Sequence, residues 1–332
     1  MADKRRSLLQ EDGRCLVCER RCVIKQGEKG YCGTRVNDGG SLFTLNYGNI
    51  SSISINPIEK KPFFHFYPGS RALTVGFWSC NFDCPWCQNY DISKVEPRFS
   101  DYVTPRNFVK TAKAHSCEGT SLSFNEPTLF LEWGSEVFNI ARREALYNTM
   151  VTNGYMTERA LQLFIDTGLD AVNVDIKGDE KAMRKFCQID VQKVWRNCRT
   201  MRKKNVHLEV TTLIIPTVND NLDTLAEIAQ RIIDELGDRT PWHLTRYFPA
   251  YEFSVPATPI SLLEDAYEMA RDRGVKFVYL GNIPDHRFED TYCPKCGRLL
   301  IKRSGLAITD IKITEHCLCP ACSYDLKNFF VI

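Results

Sequence analysis

From residue 72 onward the chain alternates short apolar runs with longer amphipathic stretches, and this alternation limits the fold more than any other feature. Leu73 to Trp78, Ser121 to Phe124, Asn148 to Thr152, Ala171 to Ile176, His207 to Ile214, His243 to Tyr247 and Lys276 to Leu280 read as strands. Helical periodicity falls between them, at about 104–115, 128–143, 156–166, 179–203, 220–236 and 260–273. Strand then helix, repeated six times, predicts parallel strands joined by crossover helices. A full eight-strand barrel needs more chain, so the expectation is an α/β fold, a partial (β/α)6 TIM-like barrel, in preference to a doubly wound sheet.

In such a barrel the chemistry gathers where the strands end. The first run stops on Cys80, Cys84 and Cys87, three thiols within eight residues. Read by spacing, Cys-x3-Cys-x2-Cys leaves a four-iron cluster one thiolate short, with one iron open to a non-protein ligand. The later runs end on polar groups: Asn125-Glu126-Pro127-Thr128, then Thr152-Asn153-Gly154, then Asp175-Ile176-Lys177-Gly178. Glu209 and Thr211 lie on the fifth run, and His243 and Arg246 on the sixth. The expectation is that all of these converge on one mouth.

Fifteen cysteines in a short secreted chain would suggest disulfides. Here 332 residues, 43% of them hydrophobic, suffice for a large core, and the thiols cluster in Cys-x-x-Cys pairs, which favours metal. Forty-three Lys and Arg against 41 Asp and Glu give +2, so no global charge points to nucleic acid or an acidic membrane. No apolar run approaches membrane-spanning length and the N-terminus lacks signal-peptide character, so the expected location is cytoplasmic.

Two further cysteine sets flank the strand-and-helix region. Cys15, Cys18, Cys22 and Cys32, with a glycine-containing turn before the last, can close a four-ligand shell. That shell suits a structural zinc or an auxiliary iron–sulfur cluster, and spacing does not separate the two. Cys293-x-x-Cys296 and Cys319-x-x-Cys322 read as the two knuckles of a zinc ribbon, with Cys317 and His316 as spare ligands and a further iron–sulfur cluster as the alternative. Cys117, Cys187 and Cys198 read as small buried hydrophobes. Residues 41–70 alternate polar and apolar and predict a small β layer, while His65, set among aromatics, reads as a packed and hydrogen-bonded residue. The expected divisions are residues 1–70, a cysteine-rich module with its β layer; 71–288, the barrel; and 289–332, the ribbon.

Cys80-Asn-Phe-Asp-Cys84-Pro-Trp-Cys87 resembles the signature of radical S-adenosylmethionine (SAM) enzymes. Pro62-Phe-Phe-His-Phe-Tyr-Pro-Gly-Ser70, Gln88-Asn89, Phe124-Asn-Glu-Pro-Thr128, Thr152-Asn-Gly154, Val174-Asp-Ile-Lys-Gly178, Pro216-Thr-Val-Asn-Asp220 and Gly281-Asn-Ile-Pro284 resemble one branch of them. That branch is the radical member of the AmmeMemoRadiSam system, itself similar to the pyruvate formate-lyase activating enzymes. One departure is Asp285, where the resemblance leads us to expect glycine. The resemblance implies a [4Fe-4S] cluster on Cys80, Cys84 and Cys87 whose open iron binds SAM. One electron then cleaves SAM to a 5'-deoxyadenosyl radical that abstracts hydrogen from a substrate.

By position, Asn125 and Glu126 match the contact to the methionine amino group, Trp86 lies beside the adenine, and Asp175 and Lys177 match the motif that reaches ribose or carboxylate. Thr152 and Asn153 are neighbours, and Arg246 is a weaker member of the set. The plainer reading of Asn125-Glu-Pro-Thr128 is a helix cap. Implied partners are a low-potential electron donor and Memo-like proteins; the alternative activity is that of a glycyl-radical-enzyme activase acting on a partner protein. A catalytically idle metal scaffold for protein or RNA is the reading from another class.

Overall fold

The computed structural model describes residues 4–94 and 101–332. Residues 1–3 of the first expected module and 95–100 of the second lie outside the described residues. Eight strands form the main sheet: β1 Ser52–Pro57, β2 Arg71–Gly76, β3 Gly119–Leu122, β4 Tyr147–Thr152, β5 Ala171–Asp175, β6 His207–Ile214, β7 Trp242–Arg246 and β8 Val278–Gly281. Their order in the sheet is their order in the chain, from β1 at one edge to β8 at the other. Every neighbouring pair is parallel except β1 and β2. Because the order never reverses, there is none of the switch point that defines a doubly wound sheet. The sheet is open, since β1 and β8 do not pair with each other.

β3 and β4 are buried along almost their whole length yet carry polar Thr120, Asn148 and Thr149, which bond across the sheet: the Thr120 hydroxyl donates to Asn148 Oδ1 at 2.7 Å and the Thr149 hydroxyl to the Thr120 carbonyl at 3.1 Å. Among the described residues, six helices of ten or more residues connect the parallel strands: α1 Pro105–Ala114, α2 Leu131–Arg143, α3 Glu158–Thr167, α4 Val191–Lys203, α5 Leu222–Arg231 and α6 Ile260–Asp272. Thr104, Thr157, Asp190 and Asn221 start α1, α3, α4 and α5 by accepting backbone N–H groups of the first turn. Each cap sets where the chain enters the helix after a strand end.

Two expectations need correction. The β layer of residues 41–70 does not exist as one unit. Ser41–Thr44 pairs with Arg5–Arg6 and Arg35–Asp38 in a separate antiparallel sheet, whereas β1 joins the main sheet as its edge. Ile53 and Ile55 point outward from that edge, so the alternation that suggested a free-standing layer is the two-faced pattern of an antiparallel edge strand. The single helix expected over 179–203 is broken. A short turn at Glu180–Ala182 widens over Met183–Cys187, Gln188 adopts φ 54°, and Asp190 restarts the helix as the cap of α4. A left-handed residue followed by a side-chain cap is a stronger local signal than continuous amphipathic periodicity.

The N-terminal segment shares the main core: Leu9, Leu16, Val17, Ile24 and Leu42 pack in the same apolar cluster as β2 to β8. Its buried Arg35 meets Glu132 of α2 at 2.7 Å, and Thr157 N–H donates to the Val17 carbonyl at 3.2 Å. The C-terminal segment instead has an apolar cluster of its own, with Leu300, Ile301, Leu326 and Phe329 closing on Phe64, Phe277 and Tyr279. His65 is its hinge pin. Fully buried, it bonds the Phe329 carbonyl at 3.0 Å and the Tyr279 hydroxyl at 2.6 Å and stacks on Phe330, and burial lowers its pKa to about 3. That agrees with its expected packing role.

Candidate functional site

Asn125 fixes the path on which the three central thiols leave β2. Its Oδ1 accepts from Phe77 N–H at 3.1 Å and its Nδ2 donates to the Ser79 carbonyl at 2.6 Å, on either side of the turn. Ser79 and Phe124 both sit at positive φ, 77° and 72°, a conformation non-glycine residues rarely hold without support. Gly76 is needed here because a Cβ would come within 2.9 Å of Phe124.

Cys80 then lies beneath the end of β4. Phe82 N–H donates to its sulfur at 3.4 Å, and Asn153 Nδ2 stands 3.9 Å from that sulfur while bonding Asn81 Oδ1 at 2.7 Å. Burial, with the charge of Glu126 second, raises the Cys80 thiol, and burial also raises Cys87. Cys84 lies 3.4 Å from Cys187, and their shared contact pushes the Cys84 thiol up and the Cys187 thiol down. The break before α4 brings Cys187 there, which a continuous helix would not.

Glu126 is 1% exposed and organises two strand ends at once. It accepts from Thr128 N–H at 3.0 Å, Thr128 Oγ1 at 2.5 Å, Thr152 Oγ1 at 2.7 Å and Asn153 N–H at 2.9 Å. It also caps the short turn Pro127–Phe130, so the helix-cap reading of this motif is what the structure adopts. Burial raises its carboxyl despite these donors. Asp175 and Lys177 pair at 2.9 Å on the next strand end. Burial would lower the Lys177 ammonium, but Asp175 and the Cys84 thiol outweigh it and the net shift is upward.

Asn125, Glu126, Thr152, Asn153, Asp175 and Lys177 therefore sit on adjoining strand ends, and Cys80 and Cys84 meet them from the loop after β2 that also carries Cys87. Trp86 is 4% exposed and packs edge-on against Phe186 and Phe253, with ring centres 5.4 and 5.6 Å away. Arg246 donates to the Thr258 carbonyl at 2.8 Å and lies over the Phe248 ring.

Glu209 and His243 do not face the mouth, contrary to expectation. Glu209 accepts the N–H groups of Phe64 and His65 at 3.1 and 2.8 Å and pairs with His207 and His243 at 3.0 and 2.6 Å. Burial would raise its carboxyl, but the two imidazoles pull it well below the usual range. Its place near the start of β6 puts it on the C-terminal segment's side of the sheet. Asp285, the departure from expected glycine, has φ −87°, which any residue adopts, and caps the turn at His286–Phe288.

Residues missed by sequence reasoning are Asn81, Cys187 and Lys94. Lys94 donates to Asp83 Oδ1 at 2.6 Å and to the Phe82 carbonyl at 3.0 Å, closing the cysteine loop. The position of Asn81 directly after a ligand-spaced cysteine is the one signal that could have found it.

The flanking cysteine sets differ in geometry. Among the described residues, only Cys293, Cys296, Cys319 and Cys322 form a group of metal-ligating side chains whose donor atoms all lie within 4.8 Å of one another. Cys293 and Cys322 sulfurs are 3.8 Å apart and those of Cys296 and Cys319 3.7 Å. A tetrahedral ion with metal–sulfur bonds of about 2.3 Å requires sulfurs about 3.8 Å apart, so this set fits a single such ion. Burial raises the Cys319 thiol, but the N–H groups of Ala321 and Cys322 outweigh it and bring it to about 7. Cys317 and the exposed His316 lie outside the group. The central set has no such close packing among the described residues.

Residues 79–232 match the model of the radical SAM superfamily. The chain is 42% identical over 293 residues to the uncharacterized protein MJ0808 of Methanocaldococcus jannaschii, covering 87% of each. It is 27% identical over 124 residues to the (2S)-3-sulfopropanediol dehydratase activating enzyme of Klebsiella oxytoca, covering 36% of this chain and 38% of that protein. Among solved structures, Streptococcus suis SuiB bound to S-adenosylmethionine superposes with a TM-score of 0.51 at 11% identity, over 61% of this chain and 48% of that one, a likeness of fold. Among the described residues no helix is long and apolar enough to cross a membrane.

Proposed function

This chain belongs to the same family as MJ0808 and carries a radical SAM domain, and on that premise we propose that it is an enzyme cleaving SAM reductively to abstract hydrogen from a substrate. Cys80, Cys84 and Cys87 would hold a [4Fe-4S] cluster, which with bound SAM supplies the electron and the 5'-deoxyadenosyl radical. The observation that carries the reading is the set of strand ends gathered on Cys80: Asn125 holds Ser79, while Glu126 holds Thr152 and Asn153, and Asn153 reaches the Cys80 sulfur.

These residues act by positioning. Donors near a ligand sulfur and the cationic Lys177 near Cys84 both tune a cluster's potential. Glu126 is already saturated by four donors, so its part in recognising a methionine ammonium would be to set Asn153 and the strand-end backbone in place. Asp175 and Lys177 remain the polar pair for ribose or carboxylate. Trp86, buried between Phe186 and Phe253, would form the floor of an adenine site more readily than its lid.

A second reading, activation of a glycyl-radical enzyme as partner protein, draws on the likeness to the dehydratase activating enzyme. Membership of the AmmeMemoRadiSam system, with Memo-like partners and a small-molecule or macromolecular substrate, rests on the motif resemblance alone. We read the open sheet as a partial barrel and the C-terminal set as a zinc ribbon on the same footing. The test is anaerobic reconstitution of the full chain with iron and sulfide, followed by dithionite and SAM. Formation of 5'-deoxyadenosine is expected, and its absence from fully reconstituted protein sinks the enzyme reading.

A further inference from the structure

Cys15, Cys18, Cys22 and Cys32 take no part in the site just described, yet all four line one small pocket. Among the described residues, the close-packed group of ligating side chains is the C-terminal four and not these. The backbone is not loose there: Cys15 N–H donates to the Cys22 carbonyl at 2.9 Å, Gly33 N–H to the Gly30 carbonyl at 2.8 Å, and Cys18 bridges to Met156. A tied-down loop whose four cysteines line one pocket without closing into a compact knot suits a polynuclear cluster, in which each thiolate binds its own metal atom. A single tetrahedral ion would need them drawn together.

Two buried groups point the same way. Arg35 lines the cavity at 2% exposure, and only one guanidinium nitrogen is paired, with Glu132; Nε and Nη1 are buried without a partner. Asn81 also lines it and is fully buried, and its Nδ2 finds no oxygen or nitrogen acceptor, with only the Cys18 thiol beside its amide. Buried N–H donors without acceptors are rare because each costs roughly 1–3 kcal/mol. The inorganic sulfides of a cluster would supply the missing acceptors, and four thiolates around it would supply the negative charge that a buried guanidinium requires.

The cavity adjoins the central site. Asn81 follows Cys80 in the chain and bonds Asn153, which reaches the Cys80 sulfur. The Ser79 hydroxyl donates to the Cys32 carbonyl, and Cys32 and Cys80 line the same second pocket. We propose that Cys15, Cys18, Cys22 and Cys32 bind a second [4Fe-4S] cluster that relays electrons to the cluster at Cys80, Cys84 and Cys87 through the Cys32–Ser79 and Asn81–Asn153 contacts. One electron from a one-electron reductant, dithionite in the assay, takes this cluster from its 2+ to its 1+ state. The electron then passes to the central cluster, which is reduced from 2+ to 1+ as the first returns to 2+. No bond forms or breaks and no proton moves.

This rests on the central cluster proposed above, but its test is separable from SAM cleavage. The full chain, its triple variant Cys80→Ala, Cys84→Ala, Cys87→Ala and the double variant Cys15→Ser, Cys32→Ser are reconstituted anaerobically. Iron, acid-labile sulfide and zinc are counted, and electron paramagnetic resonance spectra are taken after reduction, with circular dichroism as the check on folding. The triple variant is expected to keep half the wild-type iron and sulfide with a reduced-cluster signal; the double variant is expected to lose the other half. In the fully reduced wild type the two signals should broaden each other, so that its spectrum is not the sum of the variant spectra. Folded triple variant without iron, or with an added equivalent of zinc, overturns the proposal whether or not the wild type forms 5'-deoxyadenosine. If the triple variant fails to fold, the double variant decides: retention of all wild-type iron overturns the proposal and loss of half supports it. A wild-type spectrum equal to the sum of the parts overturns the relay.

Discussion

The two terminal cysteine sets contain the same number of thiols and use them in opposite ways. At the C-terminus, the 3.7 and 3.8 Å sulfur contacts form a compact knot, and the segment around it has its own apolar cluster, separate from the main core. At the N-terminus, the four cysteines line one pocket and the segment's apolar side chains are part of the main core. The difference teaches what each metal would do for the fold. A small segment with few core residues needs its ion to stay folded. A segment already docked on α2 can keep its shape without a metal, which would leave the proposed cluster free to serve electron transfer.

The comparison breaks most readily at the C-terminal knot. Changing Cys293 and Cys319 to Ser, or stripping the metal with a strong chelator, should expose residues 289–332 to limited proteolysis and rapid hydrogen exchange. In small zinc modules about 10 kcal/mol or more of binding free energy is coupled to folding. Changing Cys15 and Cys32 to Ser should leave exchange in the main sheet near its wild-type level. Equal loss of protection in both variants would erase the distinction.

Glu132→Ala strikes the N-terminal set through its charge. It removes the 2.7 Å partner of Arg35 and strands a guanidinium that is 2% exposed. Removing one member of a buried pair costs about 3–5 kcal/mol, read as a shift in the denaturant midpoint. A cluster in the cavity supplies a second counter-charge, so the loss should be smaller in reconstituted than in apo protein.

His65 tests the C-terminal contact by pH. Its folded pKa lies at about 3 because burial disfavours the cation, below the ordinary value of about 6.5. The unfolded chain therefore binds the extra proton between these values, and stability conferred by neutral His65 is complete above pH about 6.5 and lost as pH falls toward 3. Across that window His65→Gln should flatten stability against pH by up to about 1.4 kcal/mol per pH unit relative to wild type. Identical slopes in unfolding titrations would mean that His65 is not held neutral.

The smallest effect is expected at Asp190→Ala. It removes the cap that donates no packing but accepts Gln192 N–H at 2.9 Å, and such a loss costs about 1 kcal/mol. Because that cap restarts the helix after Cys187, the thiol's reactivity toward alkylating agents should change with it, and unchanged labelling would separate the cap from the site.

Much of this was legible in the residues. Strand-and-helix alternation predicted all seven parallel strands, and ligand spacing singled out each of the three cysteine sets. The strand-end motifs predicted Asn125, Glu126, Thr152 and Asn153 as neighbours because a parallel sheet places its C-terminal ends together. What was not legible depended on direction and local competition. Glu209 and His243 lie on strands of the right kind but near their starts, and a run of apolar residues does not say where along it the mouth lies. The break at Gln188 was hidden by helical periodicity on both sides. Zinc and cluster could not be separated by spacing, since the same four thiols serve both.

The most direct test of the central claim is the electron paramagnetic resonance spectrum of reduced, reconstituted full chain before and after SAM is added. An iron left open by three cysteines binds the added molecule, so the account predicts that the g-values of one cluster shift while those of the other stay fixed, and that the shift disappears in the Cys80→Ala, Cys84→Ala, Cys87→Ala variant. A spectrum unmoved by SAM in protein carrying its full iron and sulfide would contradict it.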